Sequence, residues 1–253
     1  MNIKRSKSLV ALASLLILPF GSALVAAESG FKSIFDGKTL EGWSGDPKLW
    51  SVEDNAITGV TTDEEPLEYN KFLIWDGEVE NFHLRLKLRL FGKNNSGIQY
   101  RSEHLKDKGE FVVGGYQCDI HPKPEYNGML YHERGRGIVA QHGQKVTVNE
   151  AGEKWITGST GRVQQINLED WNTYEVVVIG NKLVHKLNGK VTAEIIDHDP
   201  KGRLMKGIIA FQVHRGPAMR VQIKDVELKH LPEGGMLSPA DTPLPSSAKK
   251  AGR

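Results

Sequence analysis

The stretch FHLRLKLRL, residues 82–90, alternates apolar and polar side chains without a break. In an extended strand, Phe82 and the leucines at every second position after it would lie on one face. The other face would carry His83, Arg85, Lys87 and Arg89. One apolar and one solvated face are typical of an antiparallel sheet. The basic face could bind an acidic partner, but a solvated face that discourages edge pairing also explains it.

Strand and turn signals continue on both sides of this stretch. Trp50–Val52 and Ala56–Gly59 suggest one hairpin, and Asn188-Gly189 predicts a type I′ turn between strands at 183–187 and 190–196. Further strands are expected at 171–179, 207–214 and 221–231, with no convincing helix after the first 27 residues. We therefore predict an all-β fold, a two-sheet antiparallel β-sandwich. Residues 122–170, rich in glycine and polar groups, are expected to be irregular and to shape a site.

The two ends of the chain differ from the middle. Residues 1–27 resemble a signal peptide, with basic residues at 4, 5 and 7, an apolar run at 9–20 and small residues at 25–27. We expect export to the periplasm or the medium, with no integral membrane segment after signal removal. Residues 28–231 are predicted to form one domain. The tail at 232–253 is predicted to be disordered, because it is rich in Pro, Ser, Gly and Lys.

Charge and cysteine content exclude several classes of protein. The chain has 33 basic and 31 acidic residues, and losing residues 1–27 removes three basic and no acidic ones, which leaves 30 and 31. This balance offers no basic excess for nucleic acid or an anionic membrane. Cys118 is the single cysteine, so no intramolecular disulfide or cysteine-pair zinc site is possible. We expect Cys118 to be a small buried hydrophobe rather than a catalytic thiol.

Two predicted strands, at 96–103 and 115–121, carry polar side chains on a common face. Gln99 and Arg101 alternate with apolar residues in the first, and Gln117, Asp119 and His121 do so in the second. Side by side, these faces would form a polar floor suited to a polyhydroxylated ligand. A half-solvated antiparallel sheet would have the same pattern.

Other segments add candidate residues to this surface. Gln212 and His214 share one face of the strand at 207–214, while Tyr131, Glu133 and Arg136 in the irregular region could rim a cleft. Arginine suits sugar binding because its planar fork donates several fixed hydrogen bonds. The alternative is that Glu133 forms a solvated ion-pair loop with Arg134 and Arg136, which would contribute little.

Several catalytic motifs are absent from the sequence. It contains no Gly-x-Ser-x-Gly elbow, no glycine-rich phosphate loop and no His-Glu-x-x-His zinc helix. It also lacks Glu-x-Asp-x-x-Glu, which would place the paired carboxylates of a retaining glucanase on one strand. Any glycosidic cleavage would therefore follow another route.

An ordered series of segments resembles the 3-keto-disaccharide hydrolase domain family over about residues 31–231. The segments are FDGKTLEGW (35–43), WSVED (50–54), ITG (57–59), NSGI (95–98) with Arg101, GYQCDI (115–120), GMLY (128–131), FQVH (211–214) and residues 221–231. The resemblance implies a concanavalin A-like jelly roll. It also implies cleavage of glycosides already oxidised at C3.

That chemistry suits the candidate residues. A ketone at C3 acidifies the C2 proton, so a single base can start an elimination that expels the group at C1. Asp119 or His214 is predicted to be the base, and Glu133 is a further candidate for this role. Predicted substrate contacts come from Gln99, Arg101, Gln117, His121, Tyr131, Arg136 and Gln212.

Cofactor, partner and function class stay open at this point. No cofactor is expected, although His121, His214, Asp119 and Glu133 could hold a divalent metal. The expected partner is a carbohydrate substrate, and no protein partner is predictable. The alternative function is a non-catalytic carbohydrate-binding domain, for which Trp75, Tyr126 and Trp155 could supply aromatic platforms.

Overall fold

A computed structural model describes residues 30–252, so the predicted signal peptide lies outside the described residues. The strands are β1 (Lys32–Ser33), β2 (Trp43–Ser44), β3 (Trp50–Glu53), β4 (Ala56–Thr61), β5 (Lys71–Val79), β6 (Phe82–Gly92), β7 (Ser96–His104), β8 (Val113–Ile120), β9 (Leu130–Glu133), β10 (Gly137–Ala140), β11 (Gln144–Val148), β12 (Lys154–Ser159), β13 (Asn172–Ile179), β14 (Lys182–Leu187), β15 (Lys190–Asp197), β16 (Gly207–Val213), β17 (Met219–His230) and β18 (Lys249–Lys250). A short 3-10 helix covers Lys106–Lys108. Within residues 30–252, no helix has the length and apolar character needed to cross a bilayer.

The strands form two sheets. The larger sheet has the order β18-β12-β11-β15-β14-β13-β6-β17-β4-β3, with β1 also paired to β17, and the smaller has the order β10-β9-β8-β7-β16-β5-β2. Neighbouring strands are antiparallel except for β11 and β15, which are parallel. The predicted all-β sandwich is therefore confirmed.

β6 builds the core in the way its sequence pattern predicts. The side chains of Phe82, Leu84, Leu86, Leu88 and Leu90 are buried in the main hydrophobic cluster. On the other face, the predicted basic stripe is partly neutralised, because Arg85 and Lys87 pair with Glu227 and Asp225 of β17. Burial of alternate residues fixes the register, since a shift by one residue would turn the basic face into the core.

The Asn188-Gly189 turn is also confirmed. Both residues have positive φ, 49° and 77°, as a type I′ turn between β14 and β15 requires. Because asparagine and glycine tolerate this backbone conformation, the turn forms with little strain.

The segment 122–170 is more regular than predicted. It contains β9 and β10, which extend the smaller sheet, and β11 and β12, which extend the larger one. These strands have four to six residues each. Such short strands, separated by glycine-containing turns, give too few alternations for a periodic signal.

The C-terminal segment lies against the sandwich. The Asn81 side-chain amide donates to the carbonyls of Pro232 and Gly234, at 2.7 and 3.0 Å. Further along, β18 pairs with β12 through Trp155 and Ile156. The domain limits drawn from the sequence stay predictions.

Candidate active site

A cavity of about 510 Å³ lies on the face of the smaller sheet that points away from the core. Gln117 and Asp119 of β8 form its floor. The β8–β9 loop and the β9–β10 hairpin make one wall. The opposite wall comes from Tyr69 and Asn70 before β5 and from the segment after β16. The volume lies in the range of small-molecule sites, about 300–1000 Å³.

A directed chain of hydrogen bonds holds the floor. Ser102 Oγ donates to Gln99 Oε1 at 2.7 Å, and Gln99 Nε2 donates to Gln117 Oε1 at 2.8 Å. Gln117 Nε2 then donates to Asp119 Oδ1 at 2.5 Å. No side chain or backbone group of residues 30–252 donates to the second carboxyl oxygen, Asp119 Oδ2. The chain therefore orients the carboxyl group and leaves one oxygen available.

Gly97 makes room for this arrangement. A Cβ at residue 97 would lie 2.2 Å from Cδ and 2.6 Å from Nε2 of Gln117. The Gln117 side chain thus occupies the space above the Gly97 backbone. A larger residue there would push the amide away from Asp119.

The environment of Asp119 suits proton transfer near neutral pH. Its side chain is only 5% exposed, and burial raises the pKa of its carboxyl group to about 7. The hydrogen bond from Gln117 acts in the opposite direction, while the nearby Glu133 carboxyl raises the pKa further. A group with a pKa close to the working pH can both take and return a proton.

The β8–β9 loop is anchored from beneath by the larger sheet. Tyr174 Oη donates to Asn127 Oδ1 at 2.9 Å, and Thr192 Oγ1 donates to the Gly128 carbonyl at 2.8 Å. Gly128 N also donates to the Asp119 carbonyl at 2.7 Å. The residues of this loop that reach the cavity are therefore held at a fixed height above the floor.

Two histidines present opposite hydrogen-bonding groups to the cavity. Nδ1 of His121 accepts from the Lys123 amide at 2.9 Å, which leaves Nε2–H as a donor. Nδ1 of His214 lies 2.5 Å from the Arg215 carbonyl and must donate to it, which leaves Nε2 as an acceptor. These tautomers are inferred from their partners. Burial lowers the pKa of both imidazoles, so both are neutral at pH 7.

Asn70 connects the two walls of the cavity. Its Nδ2 donates to Glu133 Oε1 at 3.3 Å, and its Oδ1 accepts from the Arg215 amide at 3.0 Å. Burial raises the pKa of the Glu133 carboxyl, and the Asn70 hydrogen bond partly offsets this effect. The cavity therefore contains two carboxyl groups that hold a proton more tightly than exposed ones.

The structure brings most of the sequence-predicted site residues together. The cavity is lined by Gln117, Asp119, His121, Tyr131, Glu133 and His214. Gln99 is fully buried beside the floor and acts through Gln117 rather than lining the cavity.

The expected position of Arg101 on the polar floor is wrong. The register between β7 and β8 shifts after Tyr100, and Arg101 has a φ of 46°, so the strand alternation breaks at this residue. Its side chain is 1% exposed and donates to the carbonyls of Glu80, Gly180 and Leu204 at 2.7–3.1 Å. Its Nη2 also donates to Asn81 Oδ1 at 3.0 Å, so Arg101 joins the connections around residues 80, 180 and 204, and it does not line the cavity.

Arg136, predicted to contact the substrate, does not line the cavity. Arg136 makes buried ion pairs with Asp197 and Asp199, at 2.5 and 3.3 Å, and donates to His132 Nδ1 at 3.1 Å. Tyr116 Oη donates to the same Asp197 carboxylate. Arg136 therefore fastens the β9–β10 turn to the end of β15.

Gln212 lies in the same sheet but does not line the cavity. It is fully buried, and neither atom of its amide has a hydrogen-bond partner among residues 30–252. Its backbone carbonyl accepts from Ser96 Oγ at 2.7 Å. The substrate contact expected of Gln212 therefore stays a prediction.

Besides the apolar Met129 and Ile138, five polar lining residues escape the strand-based prediction: Tyr69, Asn70, Asn95, Arg134 and Arg215. They lie in turns and connections, where side-chain direction follows no period. Tyr126, considered as an aromatic platform, does line the cavity and packs edge-on against His121 with ring centroids 5.1 Å apart. Trp75 and Trp155 do not line it.

The residues suggested for a divalent metal do not form a recognisable ligand set. Among residues 30–252, no group of three or more His, Cys, Asp or Glu side chains is arranged to hold a metal ion. The single cysteine, Cys118, is buried in the core, as predicted.

The fold and cavity define a β-sandwich protein with a polar cavity of about 510 Å³ on one sheet. Residues 30–229 match the 3-keto-alpha-glucoside-1,2-lyase-like domain, and the chain belongs to this family. The resemblance drawn from the sequence segments is therefore confirmed.

A curated relative is the 3-keto-disaccharide hydrolase of Bacteroides thetaiotaomicron. It is 33% identical over 86 residues, which are 31% of this chain and 30% of the relative. The similarity thus spans less than a third of that protein.

Solved structures with the same fold include a proposed glycosyl hydrolase from Parabacteroides distasonis. It has a TM-score of 0.55 and 19% identity, and the match covers 79% of this chain and 99% of that one. The carbohydrate-binding module CBM66 from Bacillus subtilis has a TM-score of 0.52 and 12% identity, covering 74% of this chain and 95% of the module. At these identities the comparison establishes the fold, and both a proposed enzyme and a binding module share it.

Proposed function

We propose that the protein cleaves glycosides whose sugar is oxidised to a ketone at C3, with Asp119 as the base. The observation that carries this proposal is the carboxyl group of Asp119 on the cavity floor. One of its oxygens is held by Gln117, and burial brings its pKa to about 7. Family membership and the name of the Bacteroides relative support the choice of substrate.

The proposed reaction begins at C2 of the keto sugar. Asp119 Oδ2 takes the C2 proton, and the electrons of that bond form the enolate between C2 and C3. The enolate then returns to the ketone, a C1–C2 double bond forms, and the C1–oxygen bond breaks. Water then adds to C1 and gives one proton back to the group that protonated the leaving oxygen, while Asp119 returns its proton to C2, so the net reaction is hydrolysis. No second carboxylate nucleophile is required.

Neighbouring groups fit the other requirements of this reaction. His121 offers a neutral Nε2–H that can donate to the enolate oxygen. Glu133, whose pKa is raised by burial, can protonate the leaving oxygen. His214 Nε2 can accept from a sugar hydroxyl or from the attacking water. Export to the periplasm or the medium is part of the proposal and rests on residues 1–27.

The proposal is tested by offering the protein a 3-keto-disaccharide and its unoxidised parent. We expect turnover of the keto compound alone, because the parent has no acidified C2 proton. The measurement is product formation by chromatography, with and without a chelator, and activity should survive chelation since no three-residue ligand set is present among residues 30–252.

Two results would count against this function. Cleavage of the parent at a similar rate would point to ordinary glycosidase chemistry. Binding of both sugars with turnover of neither would favour the alternative, a carbohydrate-binding domain that uses Tyr126 as its platform.

A further inference from the structure

Two arginines at the cavity lack a partner of their own. Arg134 and Arg215 are exposed and line the cavity. Neither guanidinium makes a hydrogen bond or ion pair with any of residues 30–252. In contrast, Arg85, Arg136 and Arg220 are paired with carboxylates. The two cavity guanidiniums keep all their donors for a ligand.

The backbone of Arg215 is held firmly although its side chain is free. Its amide donates to Asn70 Oδ1 at 3.0 Å. Its carbonyl accepts from Asn94 Nδ2 at 3.3 Å and from His214 Nδ1 at 2.5 Å. Asn94 is buried and also binds the His214 and Pro217 carbonyls. These hydrogen bonds fix the backbone of the loop after β16, so the Arg215 side chain starts from a defined position on the cavity wall.

The Arg134 backbone is fixed on the opposite wall. Arg134 has a φ of 54°, an unusual conformation for a residue with a side chain, at the turn that joins β9 to β10. The next residue is Gly135, where a Cβ would lie 2.4 Å from the His132 ring. Asn70, through its bonds to Glu133 and Arg215, ties the two arginine-bearing walls together.

The charges in the cavity are separated rather than neutralised. The acidic groups, Asp119 and Glu133, lie at the floor and wall, and neither forms a salt bridge with either arginine. Burial raises the pKa of both carboxyls, and although the Asn70 hydrogen bond and the Arg134 charge act in the opposite direction on Glu133, the two groups carry less negative charge than two ordinary acids would. An anionic group bound at the two arginines therefore meets little electrostatic repulsion from the carboxyl groups of Asp119 and Glu133.

We propose that Arg134 and Arg215 form a binding site for an anionic substituent, a carboxylate or a sulfate ester, on the glycoside that occupies the cavity. This inference rests on the proposed function only for the identity of the sugar. Planar guanidinium groups bind carboxylate and sulfate oxygens through paired hydrogen bonds, and two of them on facing walls would select acidic over neutral sugars.

The first arm of the test measures binding without turnover. Calorimetry with the intact protein compares three unoxidised disaccharides: glucosyl-glucose, glucosyl-glucuronic acid and a sulfated glucosyl-glucose. We expect an acidic compound to bind about tenfold more tightly than the neutral one, with the preference declining at high salt. Comparing the affinities of the two acidic compounds shows whether the site prefers a carboxylate or a sulfate ester.

The second arm uses variants. The double variant Arg134→Gln/Arg215→Gln should remove the preference for the acidic sugar, while Arg162→Gln, at an exposed arginine outside the cavity, should keep it. Equal binding of acidic and neutral sugars by the wild type would overturn the inference. A double variant whose affinity for the acidic and the neutral sugar falls by the same factor would also overturn it. Since this arm needs no catalysis, failure of the keto-sugar chemistry leaves its result unaffected.

Discussion

Replacing Asp119 with asparagine should lower kcat on a 3-keto-disaccharide by about 10²–10⁴-fold, the usual contribution of a general base. Asparagine has nearly the same shape, and its carbonyl oxygen can still accept the hydrogen bond from Gln117 that Asp119 Oδ1 accepts at 2.5 Å. The variant therefore loses the proton acceptor but keeps the floor. Steady-state kinetics on the purified variant provide the measurement.

The pH dependence of the wild type gives a second readout of the same group. Because the base must be ionised, kcat/KM should rise with pH through about 7, the pKa that burial gives Asp119. In the asparagine variant any residual activity should lack this rise. His214→Gln is the matched comparison, since His214 also lines the cavity, and it should retain the rise.

The same substitution should stabilise the protein at alkaline pH. The pKa of Asp119 is raised from 3.8 to about 7, so ionisation costs folding energy on the order of 4 kcal/mol. This cost is absent below about pH 4 and develops as the pH rises towards 7. The free energy of unfolding of the variant should therefore exceed that of the wild type above pH 7 and approach it near pH 4. An inactive variant with no such pH-dependent difference would contradict the buried carboxyl assigned to Asp119.

Replacing Arg101 with methionine should destabilise the fold by about 3–5 kcal/mol, because one buried carbonyl, two partly buried carbonyls and the buried Asn81 amide oxygen would lose a charged donor. These carbonyls belong to Glu80, Gly180 and Leu204, in connections that lie apart in sequence. Urea unfolding measures the loss. Arg220→Met is the control: Arg220 is 40% exposed and pairs with Glu53, so its loss should cost less than about 1 kcal/mol.

The alternative role for Arg101, substrate binding, predicts the opposite pattern. In that case Arg101→Met would raise KM and leave the free energy of unfolding close to that of Arg220→Met. We expect KM to stay near the wild-type value at a temperature where the variant remains folded, because the guanidinium does not reach the cavity.

Regular alternation made much of the fold predictable. Phe82–Leu90 and the Asn188-Gly189 turn are strong local signals. In β8 the apolar residues Tyr116, Cys118 and Ile120 enter the core, which leaves Gln117 and Asp119 on the face that carries the cavity. The polar floor follows from this alternation alone.

The rest of the site depends on contacts that the sequence does not display. A bulge at Arg101 reverses the direction of one side chain, and such a break is invisible to a period-two pattern. Asn70 and Arg215 meet only because β5 and β16 are neighbours in the sheet, although the two residues are 145 positions apart. The acidic partners of Arg136, Asp197 and Asp199, lie far along the chain, so no local pattern indicates that they hold this side chain away from the rim.

The central claim is that Asp119 removes the proton from C2, and a keto-disaccharide deuterated at C2 tests it most directly. In ordinary water, we predict slower turnover of the labelled compound, or loss of deuterium from C2 of the product beyond that seen without protein, or both. The Asp119→Asn variant should show neither effect. A product formed by the wild type at the unlabelled rate, with all its deuterium still at C2, would contradict the account.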